Sequence, residues 1–428
     1  MKGCIDFRAR TRRAGIVLVV ATSSVGFSLP ASLPAAAVPN TDAVVEWNEH
    51  AVNALVVTGL QSPGVAGLHL AMVHGAVYDA VNAIDGGYEE YLVDPPAKRT
   101  YSMDAAAATA AHHVLVHLLP AQKAALDGFL VDTLADIPDG AAENGGVAVG
   151  KAAAKAMIEE RTEDGRFGAP GFPVGDEPGE WRPTLPLFAN DPAGWIRDVD
   201  PFLIRRASQF RTEGPNELTS DQYATEFHEV ESVGSLTGST RSAEQTEIAK
   251  FWADHGAAMW SRIFRQISDT QDLTIVENAR LYAMVFLTGA DAVIGCWDDK
   301  EYWNFWRPIT AIREADDDGN PATDPVPGWE PLIATPPFPD HPSGHGCFSG
   351  SIVRTLQTFF ETNRMTFSTN SLVSGTTRTF SRFSQARDEV IDARVYSGIH
   401  FRTADEQGAI LGRRTANYVQ NHFFEPED

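Results

Sequence analysis

Three short stretches of the sequence carry side chains able to hold an oxyanion and to move a proton beside it. In WDDKEYWNFWRPITAI, Lys300 and Arg307 are seven residues apart, which places two cations on one face of a helix, two turns distant. Trp297 and Asn304 fall near the same stripe. Pro308 predicts that this helix ends at Arg307, with the guanidinium projecting beyond the last turn. A solvated surface would also carry a Lys and an Arg, but Trp297, Tyr302, Trp303, Phe305 and Trp306 surround them. A segment so aromatic is expected to be buried, where an unpaired cation is costly. In FPDHPSGHGCFSG, Ser343 opens a helix as N-cap or as anion ligand, and no side chain obstructs the N–H of Gly344. His345 beside it can give or take a proton near neutral pH. A helix start presents unpaired backbone N–H groups, which favour anions. Taken alone, Ser-Gly-His is equally a plain helix start with a capping serine. The third stretch, DARVYSGIHFRTAD, adds Arg394 and His400.

The elements that must position these residues read as helices. In LAMVHGAVYDAVNAI, Leu70, Val73, Val77, Val81 and Ile84 follow steps of three and four, and MDAAAATAAHHVLVHLL is rich in strong helix formers with Asp104 as a cap. Further helices are predicted near 119–135, 144–161, 219–232, 241–267, 273–298, 346–362 and 385–420. Alternating strand patterns are nearly absent, so the fold class is all-α. Residues 163–215 are dense in Gly, Pro and Trp, too aromatic for a floppy linker, and read as an ordered irregular connection. It separates an N-terminal helical bundle, 38–162, from a C-terminal one, 216–428. AMVHGAVYDAV (Ala71 to Val81) and AMVFLTGADAV (Ala283 to Val293) share AMV, five residues, then DAV, which favours two bundles from an internal duplication with the chemistry kept in the second. His112, His113 and His117 could include an i, i+4 metal-binding pair. With no acidic or Cys partner nearby in sequence, a polar helix face is the preferred reading.

A formal net charge of −23 excludes nucleic acid and anionic membranes as general partners, so an anion site must be a local basic pocket. Residues 1–37 run against that trend. Arg8 to Arg13 form a basic region, Ala14 to Phe27 an apolar one, and small residues surround Ala35 to Ala37. This is the pattern of a secretory signal with cleavage near Ala37, and the pair Arg12–Arg13 leaves both the Sec and Tat routes open. No other apolar run approaches the roughly 18–20 residues of a membrane span, so the expected mature protein is exported and free of the membrane. Cleavage would remove Cys4 and leave Cys296 and Cys347, read as two separate small apolar side chains although one disulfide is possible.

Taken in order, Lys-x6-Arg-Pro, Pro-Ser-Gly-His and Arg-x5-His resemble the three-part signature shared by vanadium-dependent haloperoxidases and the type 2 phosphatidic acid phosphatase superfamily. Here the motifs are Lys300, Arg307 and Pro308; Pro342 to His345; and Arg394 and His400. The likeness covers residues 251–415 and extends to LAMVHGAVYDAVNAI and the Trp- and Pro-rich middle, as in the larger bacterial members. It implies that Lys300, Arg307, Ser343, Gly344 and Arg394 hold the oxygens of vanadate or of a phosphoryl group. It also implies that His400 is the vanadium ligand or phosphatase nucleophile, and that His345 is the acid–base residue.

The cage alone does not separate the two chemistries, since five-coordinate vanadate resembles a phosphoryl group under in-line attack. Length, the apparent duplication, and the aromatic positions Trp297 and Phe338 are similar to the chloroperoxidase type. They imply a vanadate-dependent haloperoxidase that oxidises halide with hydrogen peroxide and passes the oxidised halogen to a small organic acceptor. The alternative is an exported acid phosphatase with His400 as nucleophile. Phosphatases usually place an Asp four residues after this histidine, and haloperoxidases often keep one there too; here that position is Ala404, with Asp405 one beyond, turned by about 100° on a helix. Asp254 is a candidate partner for Arg394.

Overall fold

The computed structural model describes residues 42–427, so the signal-like segment 1–37 lies outside the described residues. The first helices are α1 Ala43–Val52, which runs into a π-helical turn Asn53–Thr58, α2 Pro63–Asp85, α3 Met103–Leu118, α4 Lys123–Ala135 and α5 Ala141–Glu160. After an irregular stretch come α6 Asp221–Gly234, α7 Ala243–Phe251, α8 Gly256–Thr270, α9 Ile275–Trp303, α10 Pro308–Arg313 and α11 Gly344–Phe359. A hairpin of β1 Phe367–Asn370 and β2 Thr377–Phe380 precedes α12 Phe383–Tyr396 and α13 Arg402–Gln420. Local chemistry sets many of the starts. Asp42 accepts from the N–H groups of Val44 and Val45 to open α1, and capping boxes open α7 (Ser242 with Gln245) and α9 (Thr274 with Glu277). The cap of α3 is Ser102, not Asp104; Asp104 instead accepts from the N–H of Ala43.

The fold is mostly helical, as expected, with three local differences. The predicted helix 241–267 breaks between Phe251 and Gly256, because His255 turns its ring nitrogen onto the N–H of Ala258 and starts α8 anew. The predicted helix 385–420 breaks between Tyr396 and Arg402. The hairpin was not foreseen: its strands are four residues each, too short to show alternation, and Phe367 stacks on Phe380 with centroids 5.4 Å apart. In addition, α9 is long and apolar enough to cross a membrane by length and composition, beyond the span expected from sequence, but here it lies buried at the centre of the protein.

Helices α2 and α9 pack against one another, and their shared AMV-x5-DAV pattern has a structural meaning. Asp79 on α2 accepts from three successive backbone N–H groups, Tyr91, Leu92 and Val93, at 2.7, 3.0 and 3.2 Å. Asp291 on α9 does the same for Phe202, Leu203 and Ile204 at 2.6, 2.8 and 2.8 Å. Both carboxyls are buried, which pushes Asp79 up to about 7 and Asp291 up to about 6 against the pull of those N–H groups. Helices α2 and α9 thus each tie down an irregular stretch of chain by the same device.

The irregular connection is ordered around such anchors. Trp181 is wholly buried, its N–H donating to the carbonyl of Asn304, while the N–H of Trp306 donates to Gly179. Helices α11 and α13 cross backbone on backbone. Gly346 and Gly350 on α11 face Gly408 and Gly412 on α13, and an added Cβ at Gly412 would stand 2.1 Å from the carbonyl of Cys347. Only glycine permits that approach, and it brings the start of α11 against the start of α13.

Candidate active site

The three motifs converge where α9 ends and α11, α12 and α13 meet. Lys300 sits on the last turn of α9, but the helix stops at Trp303, and Asn304 adopts the left-handed conformation (φ 43°). Arg307 therefore does not extend the Lys300 helix face as the spacing predicted. It is the N-cap residue of α10, with Pro308 at the first helical position, where a missing N–H costs nothing. Two cations meet from opposite sides of a turn.

Neutral carbonyls hold both. Lys300 Nζ donates to the carbonyls of Pro339 (2.6 Å) and Asp340 (3.1 Å). Arg307 donates from Nε to Phe338 (2.8 Å) and from Nη1 to Ile399 (2.6 Å). The Phe338 ring lies 4.9 Å from Lys300 Nζ and 5.0 Å from Arg307 Cζ. Arg394, on the last turn of α12, donates to the carbonyl of Trp252 at 3.3 Å. Arg307 Nη2 and Arg394 Nε are buried and have no partner among the described residues. Burial lowers Lys300 to about 8 and both Arg307 and Arg394 to about 10, so all three are still charged at neutral pH. Asp254 does not pair with Arg394, contrary to the sequence reading; it takes Arg262 and the N–H groups of His255 and Leu372.

His400 stands in the break between α12 and α13. Arg307 Nη1 approaches its Nε2 to 3.1 Å, and a guanidinium can only donate, so Nε2 carries the lone pair and Nδ1 the proton. The carboxylate of Asp340 reaches within 2.8 Å of Nδ1, off the N–H axis. Burial, then the charges of Arg307, Lys300 and Arg394, hold His400 neutral, well below the usual histidine range. Asp340 is pushed up to about 7 by burial against the opposing pull of Arg307 and Lys300. His345, on the first turn of α11, is part-exposed to the cavity described below yet shielded from bulk water; burial and Arg394 keep it neutral too.

Ser343 caps α11, accepting weakly from the N–H of Gly346 at 3.4 Å. A Cβ on Gly344 would press to 3.1 Å from the Trp297 indole, so glycine suits this position. Asp405, whose offset from the usual phosphatase place was in question, lies by Ser343 and Arg394. Burial raises its carboxyl well above the ordinary range, and those two groups favour its charged form. Cys296 and Cys347 are free and buried.

In front of the cage opens a cavity of about 340 Å³, with His345, Arg394 and His400 at its polar end. Trp297 and Phe338, 5.2 Å apart, form one wall as expected from sequence. Trp252, Met259, Trp260 and Phe348, which the motifs did not indicate, form others. The indole N–H groups of Trp252, Trp260 and Trp297 already donate to Glu389, Ser349 and Asp191, so the rings offer the cavity apolar surface. The histidines of α3 lie elsewhere. His112 is buried and meets Asp127 of α4 at 2.9 Å, a carboxylate partner not foreseen, and no group of three metal-ligating side chains occurs among the described residues.

The description of the second helical-bundle domain of VCPO matches residues 280–426, the stretch holding all three motifs. A bacterial vanadium-dependent iodoperoxidase has a crystal structure similar to this chain over 90% of this chain and 98% of that one, with TM-score 0.77 and 26% identity. In its second half and its overall fold the chain is similar to vanadium haloperoxidases. Vanadium chloroperoxidase of Curvularia inaequalis is 27% identical over 245 residues, 46% of this chain; the match spans only 39% of that relative's length. A holo-type bacterial vanadium-dependent chloroperoxidase shares the fold at 17% identity, with TM-score 0.67 over 85% of this chain and 93% of that one. These named relatives are vanadium enzymes, and the residues of the site here fit an oxyanion such as vanadate. Buried donor atoms of Arg307 and Arg394 lack partners among the described residues, and Lys300 and Arg307 hydrogen-bond to backbone carbonyls, a donor set that suits an oxyanion.

Proposed function

We propose that this chain is an exported vanadate-dependent haloperoxidase that oxidises halide with hydrogen peroxide and delivers oxidised halogen to a small organic acceptor. The observation carrying this reading is a cluster of three buried cations that opens, past two neutral imidazoles, into a largely apolar cavity. Lys300, Arg307 and Arg394, with the Ser343 hydroxyl and the Gly344 N–H, would hold the oxygens of vanadate, and the Nε2 lone pair of His400, which Arg307 faces here, would be its protein ligand. When bound, vanadate supplies a Lewis acid that makes hydrogen peroxide electrophilic toward halide without changing its own oxidation state. His345 is neutral at the cavity wall, so it takes a proton from entering peroxide and returns one to the departing oxygen. Trp297 and Phe338 screen the halide's approach from water, and the remaining aromatic walls suit an uncharged acceptor better than a phosphate monoester. The apolar face is what favours this over phosphoryl transfer, in which His400 would be the nucleophile.

The test is halogenation of a reporter diketone by metal-free protein, with iodide, bromide or chloride, with and without added vanadate and peroxide. p-Nitrophenyl phosphate hydrolysis is run beside it. Vanadate-dependent halogenation is expected. His400→Ala loses vanadate affinity, because a coordinate bond goes; His345→Ala keeps affinity and turns over roughly 10²–10⁴-fold more slowly. Phosphate release that vanadate inhibits, with no halogenation, would replace this reading with the phosphatase.

A further inference from the structure

We propose that Asp340 is the positioning residue of His400: its carboxylate sets the ring orientation and proton placement that leave Nε2 free as a ligand, the task that relatives in the phosphatase branch give to an Asp four residues after this histidine. The inference rests on the haloperoxidase reading above and names a residue of that site which none of the three motifs includes.

The usual position is Ala404, which is apolar and buried, and Asp405 one residue on turns instead toward Ser343 and Arg394. His400 would then lack an acceptor for Nδ1–H, and a buried imidazole N–H without one is costly. Asp340 supplies it from the other side of the cage. Its Oδ1 is 2.8 Å from His400 Nδ1 and 3.7 Å from Arg307 Nη1, so the imidazole stands closer to it than the guanidinium does. The side chain is fully buried, neither oxygen makes a well-aligned hydrogen bond among the described residues, and besides the imidazole the nearby Phe401 N–H favours its charged form. A small rotation of the ring would bring the N–H onto the carboxylate.

The backbone of Asp340 is fixed independently of its side chain. Its N–H donates to Phe305 at 2.9 Å and its carbonyl accepts from Lys300 at 3.1 Å. Replacing the side chain therefore leaves Lys300 anchored, and the two contributions can be measured apart. Carboxylates that orient a metal-bound histidine typically affect metal affinity 10–100-fold when removed, because they fix the tautomer and raise the basicity of the ligating nitrogen.

The experiment is a double-mutant cycle in orthovanadate affinity, read by equilibrium dialysis and by the ⁵¹V resonance of the bound species, with thermal unfolding of every variant beside it. Asp340→Ala should lower affinity roughly 10–100-fold in the wild-type background and less than about twofold in the His400→Ala background, since without the imidazole nothing remains to position. Asp340→Asn keeps shape and removes charge; it guards against an alanine variant that fails to fold, and should lose a smaller but measurable part through its weaker acceptor. An equal loss in both backgrounds would mean that Asp340 acts on the cage or the fold, and would overturn the proposal. So would unchanged affinity in Asp340→Ala and Asp340→Asn. Wild-type protein that binds no vanadate would overturn the haloperoxidase reading and this proposal with it, an outcome distinct from wild-type binding that Asp340 variants leave untouched.

Discussion

Gly412→Ala tests whether the site depends on how closely α11 and α13 cross. The added Cβ would lie 2.1 Å from the Cys347 carbonyl oxygen and 2.6 Å from the Ser351 nitrogen, and real Cβ contacts essentially never fall under 3.0 Å. Both obstacles are backbone, so no side chain can rotate away, and the helices must part by about 1 Å to reach 3.0 Å. Overpacking of this kind costs about 1–3 kcal/mol, and the upper end applies because two backbones must move. Replacing a helical glycine by alanine returns about 1 kcal/mol, leaving a net loss of about 2 kcal/mol. The same displacement separates Ser343, Gly344 and His345 at the start of α11 from His400 beside α13. A misplacement of about 1 Å can cost on the order of 100-fold in rate. Denaturant unfolding and steady-state halogenation, measured on one preparation, give both numbers. Gly128→Ala is the control: it lies in α4, nothing stands within 4 Å of an added Cβ, and it should gain up to about 1 kcal/mol with unchanged turnover. If Gly412→Ala unfolds and turns over like wild type, the crossing is not the constraint on the site that its geometry implies.

Asp291→Ala should cost at least about 3 kcal/mol in denaturant unfolding, because three buried N–H groups at residues 202–204 lose their acceptor at about 1 kcal/mol or more each; Asp79→Ala should cost a similar amount. Sulfate, whose charge is constant across the range, should bind less tightly as pH rises from 6 to 9. Asp340 gains negative charge near 7 and Lys300 loses its positive charge near 8, both against the anion, and Lys300→Met should remove the upper step in calorimetric titrations. Arg394→Ala should weaken vanadate binding by at least tenfold in dialysis, since it removes one of three cations while Trp252 and Asp254 keep their other contacts.

Much of the site was legible because its members come in short ordered motifs whose residue types have few other uses. Lys300, Arg307, Ser343, Gly344, His345, Arg394 and His400 all lie around one point, and Trp297 and Phe338 wall it as expected. What sequence hid was set by tertiary contacts. Seven-residue spacing suggested one helix for Lys300 and Arg307, but Asn304 accepts a left-handed turn because its carbonyl is taken by Trp181 from the distant connection. The helix through 385–420 looked continuous, yet it breaks at His400, where the Ile399 carbonyl is held by Arg307. Asp340 was hidden in plain view: it stands two residues before Pro342, and only the folded chain shows that it faces the imidazole 60 positions away. Helical periodicity gave the architecture, while the four-residue strands offered too few positions to show a period.

The carbonyl-held cations have a kinetic consequence. Because Lys300 and Arg307 are tethered mainly by backbone dipoles, with Asp340 no nearer than 3.7 Å to Arg307, their charge is felt at short range, inside a molecule whose formal net charge is −23. An approaching anion is first repelled by the whole surface and attracted only within a Debye length, roughly 8–10 Å at physiological salt. Dissolved salt shortens the reach of that repulsion far more than it weakens the buried attraction. Capture of vanadate, and of halide after it, should therefore quicken as ionic strength rises, the reverse of an enzyme that draws anions in through a basic surface.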